Sequence, residues 1–533
     1  METTMNTKET TMNTTNHKIT RRRALQAIVA TGIGSALAPH LAAAPADGEN
    51  PKKHTLNPEV YKHLPVLLET DVVVAGGGVA GCAAATAAAR NGASTLLIEK
   101  NGSLGGMATL GLVAPIGATF TARTNKRLGG ILWEVINDVE RASKKYRKSI
   151  RNHECSTGLY KYILLDKVVS SGAEVLFQAF IVDVVKTGEN INALVVATKS
   201  GLALVKGKVF IDASGDGDIM CRAGADYVLG SEKKVLATMS DSGDGMVDST
   251  SPYDIQVDDY SGKLQPVSWM FNMGNVDTAQ GRQYMNRKLT YSDLNITKDE
   301  FKKWKFYGTV GFEERDDDVV PMPQGRIWLY DAPHENEAII NMSRVVGING
   351  ADALSLSQGS VKAQQQLFAL VDFLQSFVPG FQNAYLRESA STLGVRETRR
   401  LVGDYILSGS DVIQCATFPD VISHGSYIID IHDPSGKRMA IAREIKGDFY
   451  DIPYRSLITQ KVPNVIVAGR CISADHVAHS STRIQGTSML TGQAAGTAAA
   501  MAVENAVSLG AVDIPALQRR LLDAGMMLVV AAS

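Results

Sequence analysis

Asp71-Val72-Val73-Val74-Ala75-Gly76-Gly77-Gly78-Val79-Ala80-Gly81 is the stretch from which the fold can be read. A short β-branched run leads straight into Gly-x-Gly-x-x-Gly at Gly76, Gly78 and Gly81. An Ala-rich helix is expected next over residues 82–91, then a second strand over residues 94–98 that ends on Glu99. Alone, the glycine pattern says little. Set between a strand and a helix, with an acid 18 residues past the last glycine, it points to a dinucleotide-binding βαβ crossover. Gly76 permits the tight turn, Gly78 lets backbone approach a pyrophosphate, and Gly81 lets the helix pack on the strand. The helix N-terminus turns unpaired N–H groups toward the phosphates. Glu99 is placed to accept the ribose hydroxyls.

The residues after Glu99 separate two dinucleotides. Lys100-Asn101-Gly102-Ser103-Leu104-Gly105-Gly106-Met107 puts a glycine pair where a nicotinamide domain would run into its third βα unit. A Gly-Gly here lets the backbone follow the far end of a longer dinucleotide, which favours FAD. No histidine stands near Gly105-Gly106, so the flavin is expected to be bound non-covalently.

Gly76–Gly81, Glu99-Lys100 and Leu104-Gly105-Gly106 together resemble the two-dinucleotide-binding-domain flavoproteins. More narrowly, the chain is similar to FAD-dependent oxidoreductases related to the fumarate reductase and succinate dehydrogenase flavoprotein subunits. The similarity continues through Asp212-Ala213-Ser214-Gly215-Asp216-Gly217, Gly394-Val395-Arg396-Glu397 and Val465-Ile466-Val467-Ala468-Gly469-Arg470. It ends with His479-Ser480-Ser481-Thr482-Arg483 and Gly492-Gln493-Ala494-Ala495-Gly496, covering about residues 68–510. What the resemblance implies is an α/β fold, a discontinuous Rossmann-like FAD domain with an inserted α+β substrate domain. Cofactor contacts are implied at Val79, Ala80, Lys100, Met107, Ile181, Ala213, Ser214, Gly215, Asp216, Gly469, Arg470, Ser488 and Met489. A helix starting near Thr487-Ser488 would aim its N-terminus at the pyrimidine edge of the flavin.

The chain divides accordingly. Residues 1–46 read as a twin-arginine-like export signal, built on Thr20-Arg21-Arg22-Arg23 and an Ala/Gly-rich run, and 47–65 as a linker. Residues 66–230 and 446–510 form the FAD domain, 231–445 the insert, and 511–533 a C-terminal helix. Destination is expected to be the periplasm or another extracytoplasmic space, with no membrane span after signal removal. Within the insert, residues 241–258 read as loop, and 293–306 and 361–377 as helices. Residues 266–273 and 326–330 read as strands.

Composition excludes other classes. With 54 basic against 55 acidic residues there is no surplus of positive charge to neutralise nucleic-acid phosphates. Five widely spaced cysteines without a CxxC pair exclude a disulfide framework, an iron–sulfur run and a haem attachment site, and no metal site is expected. No second strand–Gly-x-Gly-x-x-Gly–helix unit is present to bind NAD(P)H.

Flavin carries the hydride, so the protein must orient a substrate and handle a proton. By resemblance Arg483 is the candidate for binding a substrate carboxylate, with His479 at the matching histidine position. His476 is the adjacent acid/base candidate, and Arg396 a second candidate for the active-site face. Tyr454, Arg455, His424 and His432 could also line the pocket, whereas Arg399 and Arg400 are expected on a solvated or interdomain surface. The expected activity is hydride transfer between flavin and a small organic substrate, either oxidation of C–H next to oxygen or reduction of an activated C=C. A quinone or redox protein would serve as electron partner. A flavin-assisted redox-neutral lyase or isomerase and a non-catalytic electron-transfer subunit are the alternatives.

Overall fold

The computed structural model describes residues 61–530, except 62, 114, 144–155, 233–235, 238–245, 249–254, 257–261, 286, 287, 316, 333, 433, 435–438, 443, 444 and 446. The export signal and most of the linker therefore lie outside the described residues. From the N-terminal side the chain forms β1 (Val66–Glu69), β2 (Val72–Ala75), helix α1 (Val79–Arg90) and β3 (Thr95–Glu99). Helices α2 (Gly130–Ser143) and α3 (Thr157–Ser170) lead to β4 (Glu174–Phe177). A β5–β6–β7 meander follows (Phe180–Thr187, Asn190–Thr198, Gly201–Lys206), then β8 (Val209–Asp212), short helix α4 (Asp218–Ala223) and β9 (Tyr227–Leu229).

The expected crossover is present: β2 and β3 pair in parallel, and α1 connects them. β8 joins the other side of β2 and β4 the far side of β3, both parallel. Strand β2 is buried along its whole length, as a parallel strand covered on both faces must be. The Lys199-Ser200-Gly201 signal closes the β6–β7 hairpin, which pairs antiparallel.

The middle of the chain builds a second layer. Strands β10 (Phe271–Gly274), β11 (Leu329–Asp331), β12 (Glu337–Ile340) and β13 (Tyr385–Ser389) form an antiparallel sheet in the order β11–β12–β10–β13. Long helix α5 (Ala353–Phe377) belongs with it, capped by the Asp352 side chain, which accepts from Ser355 N. Val267 to Val395 supply a separate apolar cluster with Leu112, rich in Phe301, Phe312 and Phe373. β14 (Arg399–Leu401) then returns to pair with β9, and Leu401, Leu407, Ile422 and Ile431 pack in the first cluster.

Some expectations fail locally. The helix expected over 293–306 is only Lys298–Lys302, because Thr297 and Glu300 form a capping box that starts it late. Asp293 is spent upstream, accepting from Thr290 N and Oγ1 at 2.8 Å. Of 266–273 only β10 is strand. The loop reading of 241–258 lies largely outside the described residues, and Met246–Asp248 and Ile255–Gln256 within it are strands.

The C-terminal part completes the first layer. β15 (Val421–Gly425) pairs antiparallel with β17 (Tyr450–Pro453), and β16 (Ile429–His432) lies between them in sequence. β18 (Val465–Val467) adds to β8, giving a five-stranded parallel sheet in the order β18–β8–β2–β3–β4. Helix α6 (His476–Thr482), helix α7 (Gln485–Glu504) and helix α8 (Ile514–Asp523) end the fold. Almost all of α7 is buried, and it lies against α1 at a separation that Gly492 and Gly496 set: a methyl on either would run into Ala80 O or Ala84 O.

Candidate active site and cofactor cradle

The cradle is assembled from backbone. Gly76 has φ +98°, and a Cβ there would lie 2.7 Å from Ala213 O, so only glycine fits the turn. Gly81 is equally constrained, because its Cβ would meet Gly76 O. Gly78 differs: a Cβ built on it meets nothing within 4 Å. That space opens at the N-terminus of α1, where the first N–H groups of a helix lack intrahelical partners. The second glycine pair folds onto the first, with Gly105 N donating to Gly77 O at 2.7 Å and Gly78 and Gly105 forming a parallel bridge.

Glu99 is buried at the end of β3, where its Oε2 accepts from Gly77 N at 2.7 Å and its Oε1 from Asn101 N at 2.8 Å. Asn101 Nδ2 also donates to Oε1, at 2.6 Å, so it is Oε2 that keeps a further lone pair for a ribose hydroxyl. Lys100 is exposed and stands 5.9 Å from the centre of the Phe180 ring, while Ile181 sits on the edge strand β5. Met107 lies in the short turn after Gly106, and Val79 and Ala80 begin α1.

At the end of β8, Asp212 is fully buried. It accepts from Ser214 Oγ at 2.7 Å and from Ile219 and Met220 N at 2.8 and 2.9 Å, capping α4. Asp216 Oδ1 accepts from Thr398 Oγ1 at 2.7 Å and Arg470 Nη2 at 2.8 Å. Burial pushes the Asp216 carboxyl up, but Arg470 and Thr398 outweigh this and hold it below its ordinary value. The Ser214, Asp216 and Arg470 side chains thus brace the cradle, and Ala213 and Gly215 supply close backbone. Gly469, at φ +77°, brings the turn after β18 against Ala80, and its N–H is held by Thr491 Oγ1 at 3.1 Å. Ser488 and Met489 are buried in the first turns of α7.

At the junction of α6 and α7 lies a buried polar cluster. His476 and His479 share a face of α6, both fully buried, and Arg483 caps that helix. Arg483 Nη2 donates to Asp430 O at 3.1 Å and lies 3.6 Å from Asp430 Oδ2. Its Nε has no partner, nor has either ring nitrogen of His479, His476 Nε2, Thr482 Oγ1 or Thr487 Oγ1. Buried polar atoms are normally bonded. These open atoms cluster around the junction with α7, at whose N-terminus no side chain caps the helix. The open space at Gly78 and these open polar atoms are compatible with a bound flavin dinucleotide.

Electrostatics set the charge states. Burial takes His479 well below its ordinary 6.5, so it is neutral at pH 7. Burial and then Arg396 push His432 down to about 3 against the pull of Asp430. Asp430 is raised by burial but held ionised by His432, Arg483 and Arg396. Arg396 Nη1 donates to Pro266 O at 2.6 Å and Ser268 Oγ at 2.8 Å. Burial, Arg483 and Arg344 all disfavour its charge, which a guanidinium nevertheless retains near neutrality.

The structure thus brings Arg483, His479, His476 and Arg396 together with His432. It corrects other expectations. Arg399 and Arg400 are buried, Arg400 completely, because Glu397, Glu232 and Asp218 pair with them. His424 lies elsewhere, 2.8 Å from Asp451, and accepts from Val529 N at 2.9 Å. Tyr454 donates to Leu509 O at 2.9 Å, and Arg455 pairs with Asp420. Sequence reasoning missed Asp430 and Arg344, whose neighbours carry no motif. Glu397 was within reach, since the Glu397–Arg400 spacing of three is a pairing signal.

The sequence model described as FAD dependent oxidoreductase matches residues 71–521. The chain belongs to this family. As an FAD-dependent oxidoreductase it is an enzyme that uses FAD. Among solved structures it is similar to a geranylgeranyl bacteriochlorophyll reductase-like protein from Thermoplasma acidophilum, at 13% identity and TM-score 0.37, over 86% of this chain and 83% of that one. It is likewise similar to the flavin-dependent brominase Bmp2, at 13% identity and TM-score 0.37, over 85% and 83%. A third likeness is to CabE, an aromatic hydroxylase from angucycline biosynthesis, at 12% identity and TM-score 0.40, over 85% and 68%. No curated protein matches the chain. No helix among the described residues is long and apolar enough to cross a membrane.

Proposed function

We propose that this FAD-dependent oxidoreductase transfers hydride between flavin and a small organic carboxylate, with a fumarate-reductase-like placement of the carboxylate against Arg483. The observation that carries the reading is the open polar face of His479, Arg483 and Thr487, buried yet unpartnered beside the cofactor cradle. Bound FAD supplies the acceptor or donor of hydride. Arg483, with Nε open and Nη2 steadied by Asp430 O, offers the forked donor set that a carboxylate takes. Arg396, near enough for its charge to act on Arg483 and Asp430, adds positive charge, and neutral His479 contributes hydrogen bonds without charge. Helix α7 would offer its positive end to negative charge on a bound flavin.

Anaerobic titration with hydroxy acids, sugars and activated alkenes tests this. Bleaching by a hydroxy acid, or reoxidation of reduced enzyme by an alkene acid, is expected; product formation without any bleaching would favour a redox-neutral lyase. Arg483→Ala should keep its FAD and lose about 2–5 kcal/mol of transition-state binding in kcat/KM. Unchanged kinetics would remove Arg483 from the site.

Export by the twin-arginine route belongs to the same proposal, resting on Arg21-Arg22 and the small-residue run after them. It accounts for a chain that must acquire a bulky cofactor before leaving the cytoplasm. Electrons would then pass to a quinone or redox protein. Cell fractionation of an Arg21→Lys, Arg22→Lys double variant should find it retained in the cytoplasm, where the unaltered protein is not.

A further inference from the structure

His476 uses only one of its two ring nitrogens. Nδ1 stands 2.8 Å from Glu397 Oε1, while Nε2, equally buried, has no partner. Glu397 is acceptor-only while ionised, and Arg400 Nη1 bonds the same oxygen. Arg400 is fixed in turn by Ala474 O and Gly230 O, each at 2.8 Å, and by Glu232. Glu232 also accepts from His476 N at 3.0 Å, so both the ring and its backbone are tied to one carboxylate–guanidinium frame. A carboxylate on Nδ1 keeps the proton there and leaves Nε2 its lone pair. The titratable and charged groups around the ring are Glu397 just before β14, Arg400 within β14, Glu232 from the segment after β9, Asp475 at the N-cap of α6 and His479 on the same helix. None of them bonds to Nε2.

We propose that His476 Nε2 is the base that takes the hydroxyl proton of an alcohol-type substrate, with Glu397 as the positioning residue that fixes its tautomer. This rests on the hydride-transfer reading above and gives it a direction. The step balances: the carbinol C–H bond breaks with its electron pair passing as hydride to oxidised FAD, the O–H proton goes to His476, and C=O forms. An open acceptor selects a donor, and a 2-hydroxy acid carries one. Its hydroxyl would meet Nε2 and its carboxylate Arg483, whose charge already acts on His479 on the same helix. An alkene substrate has no proton to give to this base.

The test uses holoenzyme labelled with ¹⁵N-histidine, together with His476→Gln and Glu397→Gln. The expected spectrum shows His476 protonated on Nδ1 and bare on Nε2. His476→Gln should retain FAD, slow anaerobic flavin reduction by lactate, malate or glycolate about 100-fold or more, and lose the acid limb of the pH profile. Glu397→Gln should retain FAD and displace that limb, which a purely structural carboxylate would not do. A proton on Nε2, or a His476→Gln enzyme with unaltered rate and profile, would overturn the proposal. Should no alcohol or hydroxy acid bleach the unaltered enzyme, the functional reading fails and takes the substrate assignment with it. The tautomer then judges the pair by itself: a proton on Nδ1 upholds it, a proton on Nε2 overturns it.

Discussion

Arg400 is the bulkiest of the fully buried side chains, and it shows what a single residue can hide from sequence. Arg and Lys are rarely buried unless paired, so an Arg-Arg run reads as surface. Here one partner, Glu397, is three residues away and legible, whereas Glu232 lies 168 residues earlier in the chain. Removing one member of such a group leaves uncompensated charge, which costs about 3–5 kcal/mol. Arg400→Met is therefore expected to lower unfolding stability by that amount, read from denaturant midpoints; a midpoint unchanged within error would contradict the pairing. The glycines of the crossover were fully legible, because each has a distinct steric reason: a turn at Gly76, an open approach at Gly78, a packed contact at Gly81.

Among the elements, the α1–α7 contact holds the cradle together. On an unpacked helix, Gly→Ala gains about 0.5–1 kcal/mol. At Gly496 a methyl would run into Ala84 O, and overpacking costs about 1–3 kcal/mol, so the contact decides the sign. Gly496→Ala should lower the melting temperature and FAD content together, whereas Gly510→Ala, with nothing within 4 Å, should lower neither. A stabilised Gly496→Ala would show that the two helices are not in close contact. The strands of the parallel sheet were legible from short β-branched runs ending on glycine or acid. Elements of the second layer were not: caps such as Thr297–Glu300 decide where helix begins, and β10 pairs with strands more than fifty residues away.

At the scale of the molecule, buried charge makes stability depend on pH. His432 has a folded value of about 3 against an ordinary 6.5, and His479 is also displaced downward. Between those limits the unfolded chain binds a proton that the folded chain refuses, so acidification removes about 1.4 kcal/mol per pH unit for each such group. Glu397 and Asp430 act in the same sense below their ordinary carboxylate range. Asp212 and Asp475, raised by burial, act in the opposite sense. Melting temperature should fall from pH 7.5 to pH 5, and His432→Gln should flatten the slope; a temperature that rises on acidification would contradict the buried neutral histidines. The global layout was readable because motifs for one ligand recur along the chain, from β2 to α7. The polar cluster was readable only in part, since Asp430 and Arg344 reach it by folding alone. The account as a whole turns on the open space at Gly78, and visible absorbance of Gly78→Val beside the unaltered protein measures it most directly. One FAD per chain in the unaltered protein and a colourless variant with the same unfolding transition is the expected result; a variant that keeps stoichiometric FAD would contradict it.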